Sequence, residues 1–128
     1  YDLETGHMDY CRAGHTKPVL LTGERQILLD TEGPLVGIHR RAFFEQRSAT
    51  ISAGSTLVLY TDGLIEAGPS ENDMFGQERL TAAATQRRHM SAEPLAVELI
   101  ESACRHMDGR EQVDDMTDVI LKREGGRR

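Results

Sequence analysis

Leu57-Val58-Leu59-Tyr60-Thr61-Asp62-Gly63-Leu64-Ile65-Glu66-Ala67 is the stretch from which the rest of the chain is read. Four large apolar or aromatic residues running into Thr-Asp-Gly predict a strand buried on both faces that stops abruptly, with Gly63 permitting a turn that a Cβ would resist. Asp62 is then held at a strand tip. A carboxylate fixed on a rigid element, with a small residue beside it, is well placed to hold a cation or orient a phosphate. An isolated Asp-Gly is more often a simple turn, so this reading needs support from elsewhere in the chain.

Upstream, the pattern is β. Asp2 to Thr5 leads to a turn at Gly6, Met8 to Arg12 reads as extended, and Pro18-Val19-Leu20-Leu21 is a second apolar run. Between them lies Ala13-Gly14-His15, where the imidazole suits a general acid or a metal ligand and equally a hydrogen-bonded structural role, the commoner case. Gln26 to Leu29 predicts a short strand, and Gly33-Pro34-Leu35-Val36-Gly37 a loop that either approaches a ligand by its backbone or only connects strands. Phe43 to Ile51 reads as a half-buried strand turned by Ala53-Gly54-Ser55 into the central one, so a β-meander is expected to lead to Asp62.

Downstream, the period changes. After the polar loop Gly68 to Asp73, Gln77 to His89 is rich in helix formers, and a second helix follows Ser91, a plausible N-cap, with Pro94 in its first turn. Leu95, Leu99, Ala103 and Met107, with Ala96, Ile100 and Cys104 beside them, form a core-facing stripe that Gly109 ends. Val113 to Leu121 is an acidic turn feeding a last strand, and Lys122 to Arg128 is expected to fray.

The bulk numbers set outer bounds. The 128 residues suffice for one domain with a real core, and 38% hydrophobic against 28% charged residues describes a globular chain. A net charge of −6 argues against a nucleic-acid partner, and the pairs Arg40-Arg41, Arg87-Arg88 and Arg127-Arg128 are short and scattered enough to read as solvated faces. No apolar run approaches the ~20 residues of a membrane span. Cys11 and Cys104 lack the paired spacing of a zinc site and read as free thiols in a reducing, cytoplasmic setting.

Two acidic strand ends now face a common question. If the strand ending at Asp62 runs antiparallel to the one beginning after Asp115, Asp62 and Asp114 converge on one sheet edge. Converging carboxylates repel unless a cation lies between them, and oxygen donors favour Mg²⁺ or Mn²⁺.

These segments also carry a resemblance. Leu59-Tyr60-Thr61-Asp62-Gly63-Leu64-Ile65-Glu66-Ala67, Phe75-Gly76-Gln77-Glu78-Arg79-Leu80 and Asp114-Asp115-Met116-Thr117, preceded by Ala13-Gly14-His15 and Gly33 to Gly37, closely resemble the SpoIIE-type branch of the metal-dependent serine/threonine phosphatases over nearly the whole chain. The resemblance implies an α+β fold in which two antiparallel β-sheets pack as a sandwich flanked by helices, in α-β-β-α layers. It implies a pair of Mn²⁺ or Mg²⁺ ions, with Asp62 and Asp114 as metal ligands and Asp115, Gly63 and His15 as supporting or possible site residues. The reaction that the resemblance implies is hydrolysis of a phosphoserine or phosphothreonine ester by water activated at the ions, with no protein side chain as the nucleophile.

It also implies a phosphorylated protein substrate, such as an anti-sigma-factor antagonist in bacterial partner switching, and an upstream sensor or receiver domain. The family's Gly-Asp segment, which supplies further metal ligands, has no match in residues 1–128, so the chain reads as the C-terminal part of one such domain, incomplete on its N-terminal side. Alone it is expected to hold metal poorly and to hydrolyse little. Asp118 stands where relatives carry an apolar residue; it either widens the acidic cluster or, the reading preferred, faces solvent on a half-wet strand. The competing accounts are a degenerate domain that grips a protein partner without chemistry, and an inactive fragment whose open sheet edges let two copies pair.

Overall fold

The computed structural model describes residues 1–125, and the Arg127-Arg128 end of the expected frayed tail lies outside the described residues. The strands are β1 (His7–Cys11), β2 (Val19–Thr22), β3 (Arg25–Leu28), β4 (Gln46–Thr50), β5 (Thr56–Tyr60) and β6 (Asp118–Lys122). The helices are α1 (Asp62–Glu66), α2 (Gly76–Gln86) and α3 (Ala92–His106).

All pairings are antiparallel. β3, β2, β5 and β6 form a four-stranded sheet in that order, and β1 and β4 form a separate two-stranded one. The expected meander is therefore broken. β4 pairs with β1, His7 opposite Thr50, while β5 crosses to β2, Val19 opposite Val58. Within the small sheet, β1 presents Met8 and Tyr10 inward and leaves His7, Asp9 and Cys11 exposed.

The central strands bury both faces, which is why Leu57 to Tyr60 is a continuous apolar run. Val19, Leu21, Val58 and Tyr60 face the helices and pack with Leu64, Leu80, Leu95 and Leu99. Leu20 and Leu57 face the other way, onto Ile51, Met8, Tyr10 and Ala49. The result is two antiparallel sheets packed against each other, the α+β sandwich expected, with one helical layer among the described residues, outside the larger sheet. No helix among the described residues is long and apolar enough to cross a membrane.

Local details correct the sequence reading in three places. Ser91 occupies the N-cap of α3, but its side chain makes no capping bond. Cys104, expected within the packed stripe, is exposed, as is Cys11, and both are free. The tail is anchored at least through Arg123, whose guanidinium donates to the carbonyls of Glu4, Thr5 and Ile51 and whose backbone pairs with Gly54 and Ser55.

Candidate functional site

The site grows from the end of β5. Tyr60, 2% exposed, donates its hydroxyl to the Lys17 carbonyl at 2.8 Å, and burial pushes that phenol up to about 12. β5 and β6 run in opposite directions, with Tyr60 opposite Asp118, so the residues after Tyr60 meet those before Asp118. Thr61 staples the two together. Its N–H donates to the Thr117 carbonyl at 3.0 Å, its hydroxyl donates to the Asp115 carbonyl at 3.1 Å, and the same hydroxyl accepts the Thr117 N–H at 3.0 Å.

Gly63 is not the turn residue expected. It lies inside α1, which Asp62 opens, and its backbone is not in the left-handed region. What demands glycine is the approach of the acidic loop. A Cβ at Gly63 would fall well inside contact distance of the Asp115 carbonyl oxygen and 3.3 Å from the Asp114 carbonyl carbon. Asp62 and Asp114 thus stand on segments in backbone contact, both with exposed side chains.

In each, Oδ1 accepts the N–H of the following residue, Gly63 at 3.1 Å and Asp115 at 2.7 Å. Asp115 contributes its carbonyl to the Thr61 staple, and its own side chain is exposed. The carboxylate oxygens have the chemistry a hard divalent ion prefers. The donor number does not suffice: among the described residues no three His, Cys, Asp or Glu side chains gather to enclose an ion. The residues present do not by themselves make a metal site.

His15 is near the same strand tip but opens elsewhere. The neighbouring Thr16 hydroxyl donates to the Tyr60 carbonyl, while the His15 ring contacts Thr16 and lines an opening of about 210 Å³ between the sheets. On the helix side, Gly63 and Asp114 border a cleft of about 480 Å³ that also takes in Met74, Met107 and Met116. Neither the Thr61 staple nor this cleft was visible as a pattern. The hydroxyl just ahead of Asp-Gly was the one available signal for the staple.

Asp118 is a correction. Cross-strand partners share a face, and Val58 opposite Ile120 lies in the helix-side core, so Asp118 opposite Tyr60 points to the helices and not to solvent. Its Oδ2 is buried without a hydrogen-bond partner, and burial pushes the carboxyl up from 3.8 to about 6. Between those values the folded chain keeps a proton that the unfolded chain has released, so stability falls as pH rises and the loss is complete above about 6. Because the group is only half-buried, solvent reduces the penalty to about 1–2 kcal/mol. Asp118→Val is expected to be more stable than the parent at pH 7, with the gap shrinking as pH falls toward 4, as urea unfolding across that range measures. A gap independent of pH would contradict the burial account.

Comparisons with known proteins agree with this frame. The sequence model of the Stage II sporulation protein E (SpoIIE) family matches residues 1–124. Protein IcfG of Synechocystis sp. is 32% identical over 124 residues, covering 95% of this chain and 19% of that protein. The phosphatase domain of the cell fate determinant SpoIIE from Bacillus subtilis superposes with a TM-score of 0.70 at 17% identity, over 99% of this chain and 55% of that one. The RsbU and RsbW domains of a Mycobacterium tuberculosis protein give a TM-score of 0.66 at 27% identity, over 96% of this chain and 34% of that one. The chain therefore spans about half, or less, of the relatives it matches. The family model spans residues 1–124, a stretch that contains the staple, the α1 glycine and the acidic loop, and this chain therefore belongs to the Stage II sporulation protein E (SpoIIE) family.

Proposed function

We propose that the chain forms part of a metal-dependent phosphoserine/phosphothreonine protein phosphatase, in which Asp62 and Asp114 are ligands to Mn²⁺ or Mg²⁺ and further donors come from outside residues 1–125. The observation that supports this reading is the stapling of Thr61–Gly63 onto Asp114–Thr117, which brings the segments bearing the two aspartates into backbone contact. Like charges held close are costly unless a cation offsets them. Asp115 supports the rim through its carbonyl, and His15 is assigned no role in it. The RsbU and RsbW domains found together in the mycobacterial relative support a signalling setting, with a phosphorylated protein of a bacterial partner-switching system as the substrate.

The test compares this chain with a longer product of the same gene that includes the residues before Tyr1. Two donors are too few for tight binding, so the chain alone is expected to bind Mn²⁺ on the order of millimolar or more weakly by calorimetry, with no measurable turnover of a phosphoserine peptide. The longer protein is expected to bind the ion at least about tenfold more tightly and to turn the peptide over. Robust turnover by the chain alone would mean that a ligand has been misplaced. A longer protein that binds Mn²⁺ and leaves phosphopeptides intact would make this a binding module.

A further inference from the structure

The cleft beside Asp114 has a chemistry that the paired aspartates do not use. Its volume of about 480 Å³ suits a side chain or small ligand, since such pockets span ~300–1,000 Å³. Met74, Met107 and Met116 form its apolar wall, and unbranched, polarizable thioethers adapt to whatever stem lies across them. Met107 and Met116 rest on the helix-side core, while Met74, 38% exposed, closes the wall from the loop ahead of α2.

Charge surrounds that wall. Glu66 at the end of α1, Glu71 in the following loop, and Glu111 and Asp114 before β6 face a single cation, Arg110. On α3, by contrast, Glu98 is held by both Arg87 and Arg105. Glu66, Glu71 and Glu111 take part in no ion pair among the described residues. An apolar trough edged by unpaired carboxylates is complementary to one class of side chain: a long aliphatic stem ending in a cation.

The geometry points to a subsite for a lysine or arginine of the protein whose phosphorylated residue meets the Asp62–Asp114 rim, an inference that rests on the phosphatase reading above. The stem lies on the methionines and the cation reaches the glutamates. The excess of carboxylates repels an acidic side chain at the same position, so the pocket selects as well as binds. Because the cleft is bordered by Gly63 and Asp114, its occupant is a near neighbour of the phosphorylated residue.

The test needs no turnover. The chain, with its methionine methyl groups labelled with ¹³C, is titrated by NMR with the phosphate-free tripeptide acetyl-Gly-Lys-Gly-amide and its arginine, norleucine and glutamate counterparts. The Met74, Met107 and Met116 methyls are expected to shift with the lysine and arginine peptides, about fivefold more weakly with norleucine, and not with glutamate. Glu71→Gln with Glu111→Gln is expected to weaken the lysine peptide by about fivefold, and added salt to do the same. Norleucine binding as well as lysine, or no shift with any peptide, would overturn the assignment. The phosphatase reading is scored separately, by whether Mn²⁺ broadens the Asp62 and Asp114 signals in the longer protein. Methyl shifts without that broadening would leave the cation pocket standing and remove the phosphatase reading.

Discussion

Gly63→Val is expected to destabilise the chain by more than about 4 kcal/mol, enough to exhaust much of the ~5–15 kcal/mol margin of an ordinary domain. The reason is steric and local. The new Cβ would press on the Asp115 carbonyl, and that carbonyl cannot retreat because Thr61 grips it, while the β6 ladder begins at Asp118. Nor can α1 move away, since the next residue, Leu64, is fully buried against α2 and α3. Gly63→Ala carries the same clash with less bulk and is expected to cost about 2–3 kcal/mol, which keeps the measurement readable if valine prevents folding.

Gly54→Ala is the control. Gly54 sits at φ +83° with open space where its Cβ would go, so only the backbone conformation is strained and about 1 kcal/mol is expected. Urea unfolding of the three variants orders them. Gly63→Ala falling within about 0.5 kcal/mol of the parent would show that the two loops are not held against each other.

Much of this arrangement could be read from residues alone, and the failures share one cause. β5 and α3 are legible because each repeats its own period long enough to be recognised: a continuous apolar run for a strand buried twice, and Leu95, Leu99 and Ala103 four residues apart for one helical face. That the segments carrying Asp62 and Asp114 meet follows from antiparallel pairing, which brings the end of one strand to the start of the next. What is not legible depends on which element lies opposite. The five residues of α1 are too few to show a period and include a glycine, so they read as a turn. β4 leaves for the second sheet because of partners in β1 that its own alternation does not identify. Asp118 reads as polar and therefore wet, and only its register opposite Tyr60 shows that the helices cover it.

In the longer protein, Asp62→Asn and Asp114→Asn are each expected to lower phosphopeptide turnover by about 10²–10³-fold, the scale on which one preorganised electrostatic group acts, and to weaken Mn²⁺ binding at least tenfold, or about 1.4 kcal/mol. Asparagine keeps the size of the side chain and the oxygen that accepts the N–H of Gly63 or Asp115, so the local turns survive and only the charge is lost. If Asp62 merely shapes a turn, Asp62→Asn is silent, because asparagine serves there equally well. If both carboxylates serve the same ions, the double variant is little worse than the poorer single one, since removing either disables the shared unit. Stability adds an opposite sign: with the metal chelated, either substitution relieves repulsion between like charges and leaves the fold as stable as the parent or slightly more so. Two aspartates with separate structural duties would instead give small, additive losses in both measurements, and that pattern would end the metal reading of the rim.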